Sequence, residues 1–445
     1  MAEAKTVEQL LAKAKKPSQD AMRLHPFYQG KVQVVPKCCI RDLDDFAIWY
    51  TPGVAAPCQD IARHPENVFL HTNKANFVAV VSDGTRVLGL GNIGPHAAIP
   101  VMEGKALLFK YLGGVDAFPI CLATTDPEEI IRACKWLEPV FGGINLEDIE
   151  KPKCFYILER LRNEMEIPVW HDDQQGTAAI TLAGLINALK VVGKRKEDVL
   201  IAMVGAGAAN IATFRVMVKY GFPPENVVMV DSKGILHPGR TDLASEAEKW
   251  RVCEISNGER RTGGIPEAMR GADVVIALSQ PGPNVIRKEW VASMARDAIV
   301  FACANPIPEI WPWEAQEAGA RIVATGRSDF PNQVNNSLGF PGIFRGALDV
   351  RARTITDEMC VAAAVELARC AEDRGLSEEY ILPHMDEWEV FPREATAVGL
   401  KAIEQGVARR VLSKEELFAT ASQIIQRARD SVRVLMETGL IPAVD

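Results

Sequence analysis

Two pairs of neighbouring acids, Glu147-Asp148 and Asp172-Asp173, each close a short apolar segment and stand 25 residues apart. That interval fits one strand-helix-strand unit, which returns the ends of parallel strands to one edge of a sheet. Carboxylates gathered there repel one another and stay ionised together only around a cation. Short oxygen ligands, with no His-Cys set to compete, suit Mg2+ or Mn2+. Each pair also precedes a helix-like run (IEKPKCFYIL, QQGTAAITLAG), so helix capping is the other use for the same acids.

Three side chains could move protons or grip a substrate. Lys105 lies in PVMEGKALLFKYLGG on an apolar helical pattern, where a lysine either extends its head to water or, beside a carboxylate such as Asp172, becomes a proton acceptor. Tyr50 stands before the Thr-Pro turn of WYTPGVA, as a phenol donor or a core ring. Arg86 follows SDG and could fork onto a substrate carboxylate, although a surface hairpin arginine has the same local sequence.

A second chemistry is written at Gly205-Ala206-Gly207-Ala208-Ala209-Asn210, a G-x-G-x-x-N turn between the strand-like VLIAMV and a helical run. The first glycine makes the turn, the second clears the pyrophosphate path, and the helix N-terminus faces the anion. Asp231 follows at the end of the next strand pattern, where an acid reaches the adenosine ribose, and Asn210 in place of glycine or alanine predicts slightly looser helix packing. Ser232 and Lys233 would welcome a ribose phosphate that Asp231 would repel, so the preference between NAD and NADP stays open. Gly282 and Asn305 fall in later strand-end loops that could line the nicotinamide half.

The elements that must position these residues read clearly. Apolar runs at FVAVVSD, DAFPICLA, GGINLED and IPVWHDD alternate with helical patterns. From about residue 195, VLIAMV, NVVMVDSKGIL, GADVVIALSQPGP, AIVFACANPIPEI and ARIVATGRSDF alternate with shorter helices, and after Phe344 the chain is mostly helical. The N-terminal 22 residues read as a short helix, and HPFYQGKVQVVPKCCI then turns extended through its β-branched residues. The fold class is α/β with two domains, a doubly wound parallel sheet of Rossmann type among them, and a helical C-terminus.

With 445 residues, 48% hydrophobic and 24% charged, the chain can bury large cores, and wholesale disorder is excluded. A net charge of −8 without a basic run argues against nucleic acid as a general partner. The ten cysteines form no C-x-x-C pair and read as buried thiols of a reducing compartment. Met1 to Asp20 lacks the apolar core of a signal peptide, and no stretch of 18 uncharged apolar residues is available to span a membrane, so the expected location is the cytoplasm.

YTPGVA (50–55), SDGTRVLGLGNIGPHAAIPVMEGKALLFK (82–110), FGGINLEDI (141–149), WHDDQQGTAAI (170–180), VGAGAAN (204–210), VDSKG (230–234), CANPIPEI (303–310) and NNSLGFPGIFRGAL (335–348) together resemble the malic enzyme family in its short form. The resemblance implies a substrate domain over 1–171, a Rossmann domain over 172–335 and a helical region over 336–445 that packs back on the first. It implies homodimers and the conversion of L-malate to pyruvate and CO2 with NAD or NADP and a divalent metal. It carries the metal-ligand role to Glu147, Asp148 and Asp173, the general base to Lys105 with Asp172 as its positioning partner, and the general acid to Tyr50. Arg86, Asn305 and Asn335 resemble substrate or nicotinamide contacts, with Asn336 beside them. Gly205, Gly207, Ala208, Ala209, Asn210, Asp231, Ser232 and Lys233 resemble the dinucleotide contacts. NADP-using members also carry a lysine where an ungapped count puts Glu248 here, with Lys249 one step on. Two other classes would use parts of the same sequence: a non-decarboxylating dehydrogenase of a hydroxy or amino acid, and a nucleotide-binding regulator without turnover.

Overall fold

The computed structural model describes residues 7–444, with side chains from Lys16 onward. Met1–Thr6 of the N-terminal segment lie outside the described residues. Helix α1 (Val7–Tyr28) continues through HPFY, beyond the expected stop at residue 22. KVQVV then forms no strand, contrary to the expectation from its composition, since β propensity is expressed only against a partner strand. Helices α2 (Leu43–Trp49), α3 (Ala55–Arg63) and α4 (Val68–His71) follow. The lobe from residue 34 to 54 leaves Val34, Leu43, Phe46, Ile48, Trp49 and Tyr50 exposed.

The first sheet is assembled from β1 (Phe77–Ser82), α5 (Gly94–Gly113), β2 (Asp116–Cys121), α6 (Pro127–Leu137), β3 (Gly143–Leu146), α7 (Lys153–Glu164) and β4 (Val169–His171). Asp126 starts α6 by accepting the N–H groups of Glu128 and Glu129. The four strands are parallel in the order β2-β1-β3-β4. The chain leaves β1 to one side and β3 to the other, so the crevice outside these two strand ends is the topological switch point. After β4 comes a single π-helical turn, Asp172–Gly176, and then α8 (Thr177–Val192). Only glycine fits at 176, because a Cβ there would lie 2.1 Å from Asp172 Oδ1.

The second sheet uses β5 (Ile201–Val204), α9 (Ala208–Tyr220), β6 (Val227–Asp231), β7 (Gly234–Ile235), α10 (Ala247–Ile255), α11 (Ile265–Met269), β8 (Val274–Ala277), α12 (Lys288–Ala292), β9 (Ala298–Ala302), α13 (Pro312–Glu317) and β10 (Ala320–Thr325). Its order is β10-β9-β8-β5-β6-β7, parallel except for the short antiparallel return of β7 on β6. The sequence suggests one continuous strand there. The switch point lies between β5 and β8.

Four helices complete the fold: α14 (Phe340–Asp349), α15 (Asp357–Arg374), α16 (Val390–Glu404) and α17 (Lys414–Glu437). Phe340 and Phe344 of α14 pack on Phe109 of α5 with centroids 4.6 and 5.1 Å away, and Ile424 of α17 closes on Gly114. A continuous apolar core runs from Val78 and Phe109 through α8 to Ile201, Phe301 and Leu367. Residues Asp172–Val192 are long and apolar enough to cross a membrane, contrary to the expectation above, but 83% of that window is buried inside the protein, as in a core helix. The cysteines meet the expectation of buried thiols only in part: all ten are free and six are buried, but Cys38, Cys39 and Cys58 are exposed and Cys121 is half-buried.

Candidate active site

The switch point of the first sheet gathers the acids. β3 ends at Leu146, and Glu147 and Asp148 follow; β4 ends at His171, and the π-helical turn opens on Asp172 and Asp173. Ligand oxygens of Glu147, Asp148 and Asp173 all lie within 4.8 Å of one another. Neither pair caps a helix: α7 begins at Lys153 behind Pro152, and Gly176 stands at the cap of α8. The turn is tight. Asp148 takes a left-handed backbone at φ +55°, its N–H donates to Asp173 Oδ2 at 3.0 Å, and its carbonyl accepts the Arg86 N–H at 2.9 Å.

Lys105 reaches this cluster from the buried face of α5. Its Nζ donates to Asp172 Oδ2 at 2.6 Å, lies 3.1 Å from Glu147 Oε1 and stands 4.5 Å above the Phe340 ring. Asp172 is fully buried and accepts the Trp170 indole N–H at 3.0 Å through its other oxygen, while Asn145 donates to Glu147 at 2.9 Å. Burial alone would pull the lysine pKa down, but Asp172 and Glu147 outweigh it and hold the value above its ordinary one. Burial raises the carboxyls of Glu147 and Asp172, and burial followed by the charge of Asp173 pushes Asp148 up to about 8. Four carboxylates thus share one lysine, and Asp148 Oδ2 is buried without a partner. An orphaned oxygen among three mutually repelling acids fits a divalent cation, and an all-oxygen set fits Mg2+ or Mn2+.

Arg86 is exposed, with its guanidinium on the Leu88 carbonyl at 2.7 Å, and its charge bears on Asp148. Asn336 packs at Gly176 of the π-helical turn, and Asn335 caps the short helix beside it by accepting the Ser337 N–H at 2.9 Å. Tyr50 is not brought to the cluster. It ends α2 with 74% exposure, and its hydroxyl makes no hydrogen bond among the described residues.

The switch point of the second sheet holds the glycine turn. Gly205 has φ +97° and lies against Leu278 and Ser279 at the end of β8, and Gly207 begins α9, whose first residues are Ala208 and Ala209. Asn210 does not loosen the packing: its buried amide donates to the carbonyls of Val204 and Gly205 at 3.0 and 2.7 Å and ties the turn to its helix. Asp231 ends β6, but both its oxygens are taken. Arg240 forks onto them at 3.1 and 3.2 Å, the Lys233 N–H donates to Oδ1 at 2.9 Å, and Lys249 Nζ is 3.4 Å from Oδ2. Lys249, not Glu248, therefore faces the acid. The Lys233 side chain is 70% exposed and touches Asp242. With Asp231, Ser232, His237 and Arg240 it lines a cavity of about 500 Å³. Arg240 was not singled out from sequence; a lone arginine nine residues past a strand end gives no local signal of its partner.

The two crevices meet. Lys151 beside α7 points at the Ala206 carbonyl of the glycine turn at 3.5 Å, and Gly89, three residues after Arg86, lies against Asn305, Pro281 and Pro306. A dinucleotide turn joined to a buried lysine-carboxylate cluster defines a nucleotide-dependent oxidoreductase with a candidate metal site.

Residues 29–162 match the family described as malic enzyme, N-terminal domain, and residues 174–403 match malic enzyme, NAD binding domain. The chain belongs to the malic enzyme family, NAD(P)-dependent enzymes that oxidatively decarboxylate malate. It is 50% identical over 399 residues to the bifunctional malic/malolactic enzyme of Bacillus subtilis, covering 90% of this chain and 96% of that protein. It is also 50% identical over 382 residues to the NAD-dependent malic enzyme of Geobacillus stearothermophilus, covering 86% and 78%. The crystal structure of Entamoeba histolytica malic enzyme superposes with a TM-score of 0.97 at 47% identity, covering all of this chain and 93% of that one.

Proposed function

We propose that this chain converts L-malate and NAD(P)+ to pyruvate, CO2 and NAD(P)H, with Mg2+ or Mn2+ held by Glu147, Asp148 and Asp173. The observation that carries the proposal is the pairing of buried Lys105 with Asp172 and Glu147 beside an acid cluster that has one orphaned oxygen. When bound, the cation supplies Lewis acidity at the substrate C2 oxygen and the dinucleotide accepts the hydride.

The chain's own residues do the rest. Arg86 binds a malate carboxylate, with Asn305 and Asn335 orienting the substrate and the nicotinamide amide. Lys105 takes the C2 hydroxyl proton at Nζ, and Asp172 fixes the direction of that amine. Neutralising Glu147 and Asp173 removes part of the charge that keeps Lys105 protonated, which readies it as a base. Phe340 and Trp170 keep water from the amine while the carbanion equivalent at C3 exists. Tyr50 then returns a proton to C3. The exposed apolar lobe at 34–54 supports a homodimer, in which Tyr50 serves the cluster of the second copy.

The test is an assay with L-malate and Mn2+, with NAD and NADP separately, in which reduced cofactor and pyruvate are both counted. The expected result is one pyruvate per reduced cofactor, lost on chelation. Reduction without pyruvate favours a plain dehydrogenase, and no turnover with either cofactor favours a regulator. The name of the Bacillus relative supports a second activity, malate to lactate and CO2, which the assay detects when lactate is counted as well, as lactate without net cofactor reduction.

A further inference from the structure

We propose that Glu309 is the positioning residue that locks the nicotinamide-side loops together, through a carboxylate that accepts from Ser279 after β8 and from Ala304 after β9. The assignment rests on the malate-oxidising function above. Glu309 is fully buried, and among the described residues neither of its oxygens is paired with a cation. Oε1 accepts the Ser279 N–H at 2.8 Å and the Ser279 hydroxyl at 3.0 Å, and Oε2 accepts the Ala304 N–H at 3.0 Å. Burying a carboxylate without a counter-charge is costly, and here three donors from two loops offset that cost.

What those loops touch gives the carboxylate a purpose beyond stability. Ser279 packs against Gly205, so a Cβ on that glycine would sit 3.1 Å from Ser279 Cα. Ala304 precedes Asn305, whose amide lies against Gly326 and whose carbonyl lies against Gly89 of the Arg86 loop. The Gly282 N–H, 3.3 Å from the Ile307 carbonyl, adds a second tie between the same loops. Glu309 therefore fixes the Asn305 loop relative both to the pyrophosphate turn and to the substrate-binding loop, while the adenosine end at Asp231 and Arg240 is held by other contacts.

Glu309→Gln keeps the shape but offers only one acceptor oxygen, so its amide must confront either the Ser279 or the Ala304 N–H. The experiment is calorimetric titration of the full-length protein with NAD(P)+ and with ADP-ribose or its 2′-phosphate, which lack nicotinamide. We expect E309Q to bind the whole dinucleotide about tenfold more weakly than wild type while ADP-ribose affinity changes less than about twofold. Ser279→Ala, which removes only the hydroxyl bond, shifts the same ratio in the same direction by a smaller factor and guards against a folding failure in E309Q. Equal weakening of both ligands, or an unchanged ratio in both variants, overturns the assignment. A wild-type protein that binds neither dinucleotide overturns the underlying function and the assignment with it, a result distinct from normal wild-type binding with indifferent variants.

Discussion

In the four-stranded sheet, Asp148 keeps a buried carboxylate oxygen with no hydrogen-bond partner among the described residues, whereas in the six-stranded sheet each oxygen of Asp231 has two partners. Both acids stand at the C-terminal ends of parallel strands, Asp148 two residues past β3 at its sheet's switch point and Asp231 as the last residue of β6, one strand removed from the other, so the fold gives them comparable places. The surroundings differ. Around Asp148 the charged neighbours among the described residues are Glu147, Asp172 and Asp173, against Lys105 and the more distant Arg86; around Asp231 they are Arg240 and Lys249, with the Lys233 N–H as a further donor. The first region is a charge imbalance that a bound cation would resolve, and the second is paired before any ligand arrives. Comparable strand-end positions therefore do not imply equivalent work: what a strand-end acid does is set by the charges that tertiary packing brings to it.

The comparison breaks most visibly at the metal cluster. Asp173→Asn should lower metal-dependent pyruvate formation by about 10³-fold, since losing a carboxylate ligand removes both charge and geometry. The metal-free variant should melt no lower than wild type, because repulsion is relieved; a large drop in melting temperature would contradict the account.

Lys105→Ala should lower kcat by about 10²- to 10⁴-fold as the base is lost, and should destabilise the fold by about 3–5 kcal/mol because Asp172 and Glu147 stay buried without their cation. Mixing that variant with Tyr50→Phe sharpens the placement of the tyrosine. If Tyr50 serves the second copy, random mixed dimers regain about a quarter of wild-type activity from two nearly inactive chains, whereas intact sites never form if both residues act within one chain.

A pH effect of intermediate size separates the two acids. The folded state holds the Asp148 carboxyl up to about 8, above its unfolded value, so this group stabilises the fold at low pH and its contribution is lost as pH rises towards 8. Thermal melting of metal-free protein should fall between about pH 5 and pH 8, and saturating Mg2+ should flatten or reverse the trend. Asp231 acts in the opposite sense. Burial alone would raise its carboxyl, but the Arg240 hydrogen bond leads the effects that bring it below its ordinary value, so its contribution is lost only in acid.

The smallest effect belongs to Arg240→Ala, which frees Asp231 to repel a 2′-phosphate or to accept ribose hydroxyls. Titration with both cofactors should show NADP affinity falling about three- to tenfold relative to NAD. An unchanged ratio would mean that Arg240 serves only the β6-β7 return.

The parts of this arrangement that sequence revealed are those encoded locally. Strands β1 to β6 and β8 to β10 are apolar runs bounded by polar residues, and the acid pairs and glycine turn sit directly at their ends. The parts it hid depend on partners distant in the chain or on tertiary context. KVQVV has strand composition and no strand to pair with, and Asn210 looks like a packing compromise until its amide is seen on Val204 and Gly205. Arg240 and Glu309 are ordinary loop charges until the fold brings them to Asp231 and to Ser279 and Ala304. The exposure of Cys38, Cys39 and Tyr50 follows from a lobe whose apolar side chains the described residues do not cover, which residue type cannot disclose.

The most direct test of the central claim, that the acid cluster is completed by a divalent cation, is calorimetric titration of the metal-free protein with Mn2+ near pH 7 in two buffers of different ionisation enthalpy. One site should fill with release of at least one proton, because the raised Asp148 carboxyl, and with it the raised Glu147 carboxyl, must ionise to bind, and Asp148→Asn should reduce that release. Absence of binding, or binding that the asparagine leaves unchanged, would contradict the account.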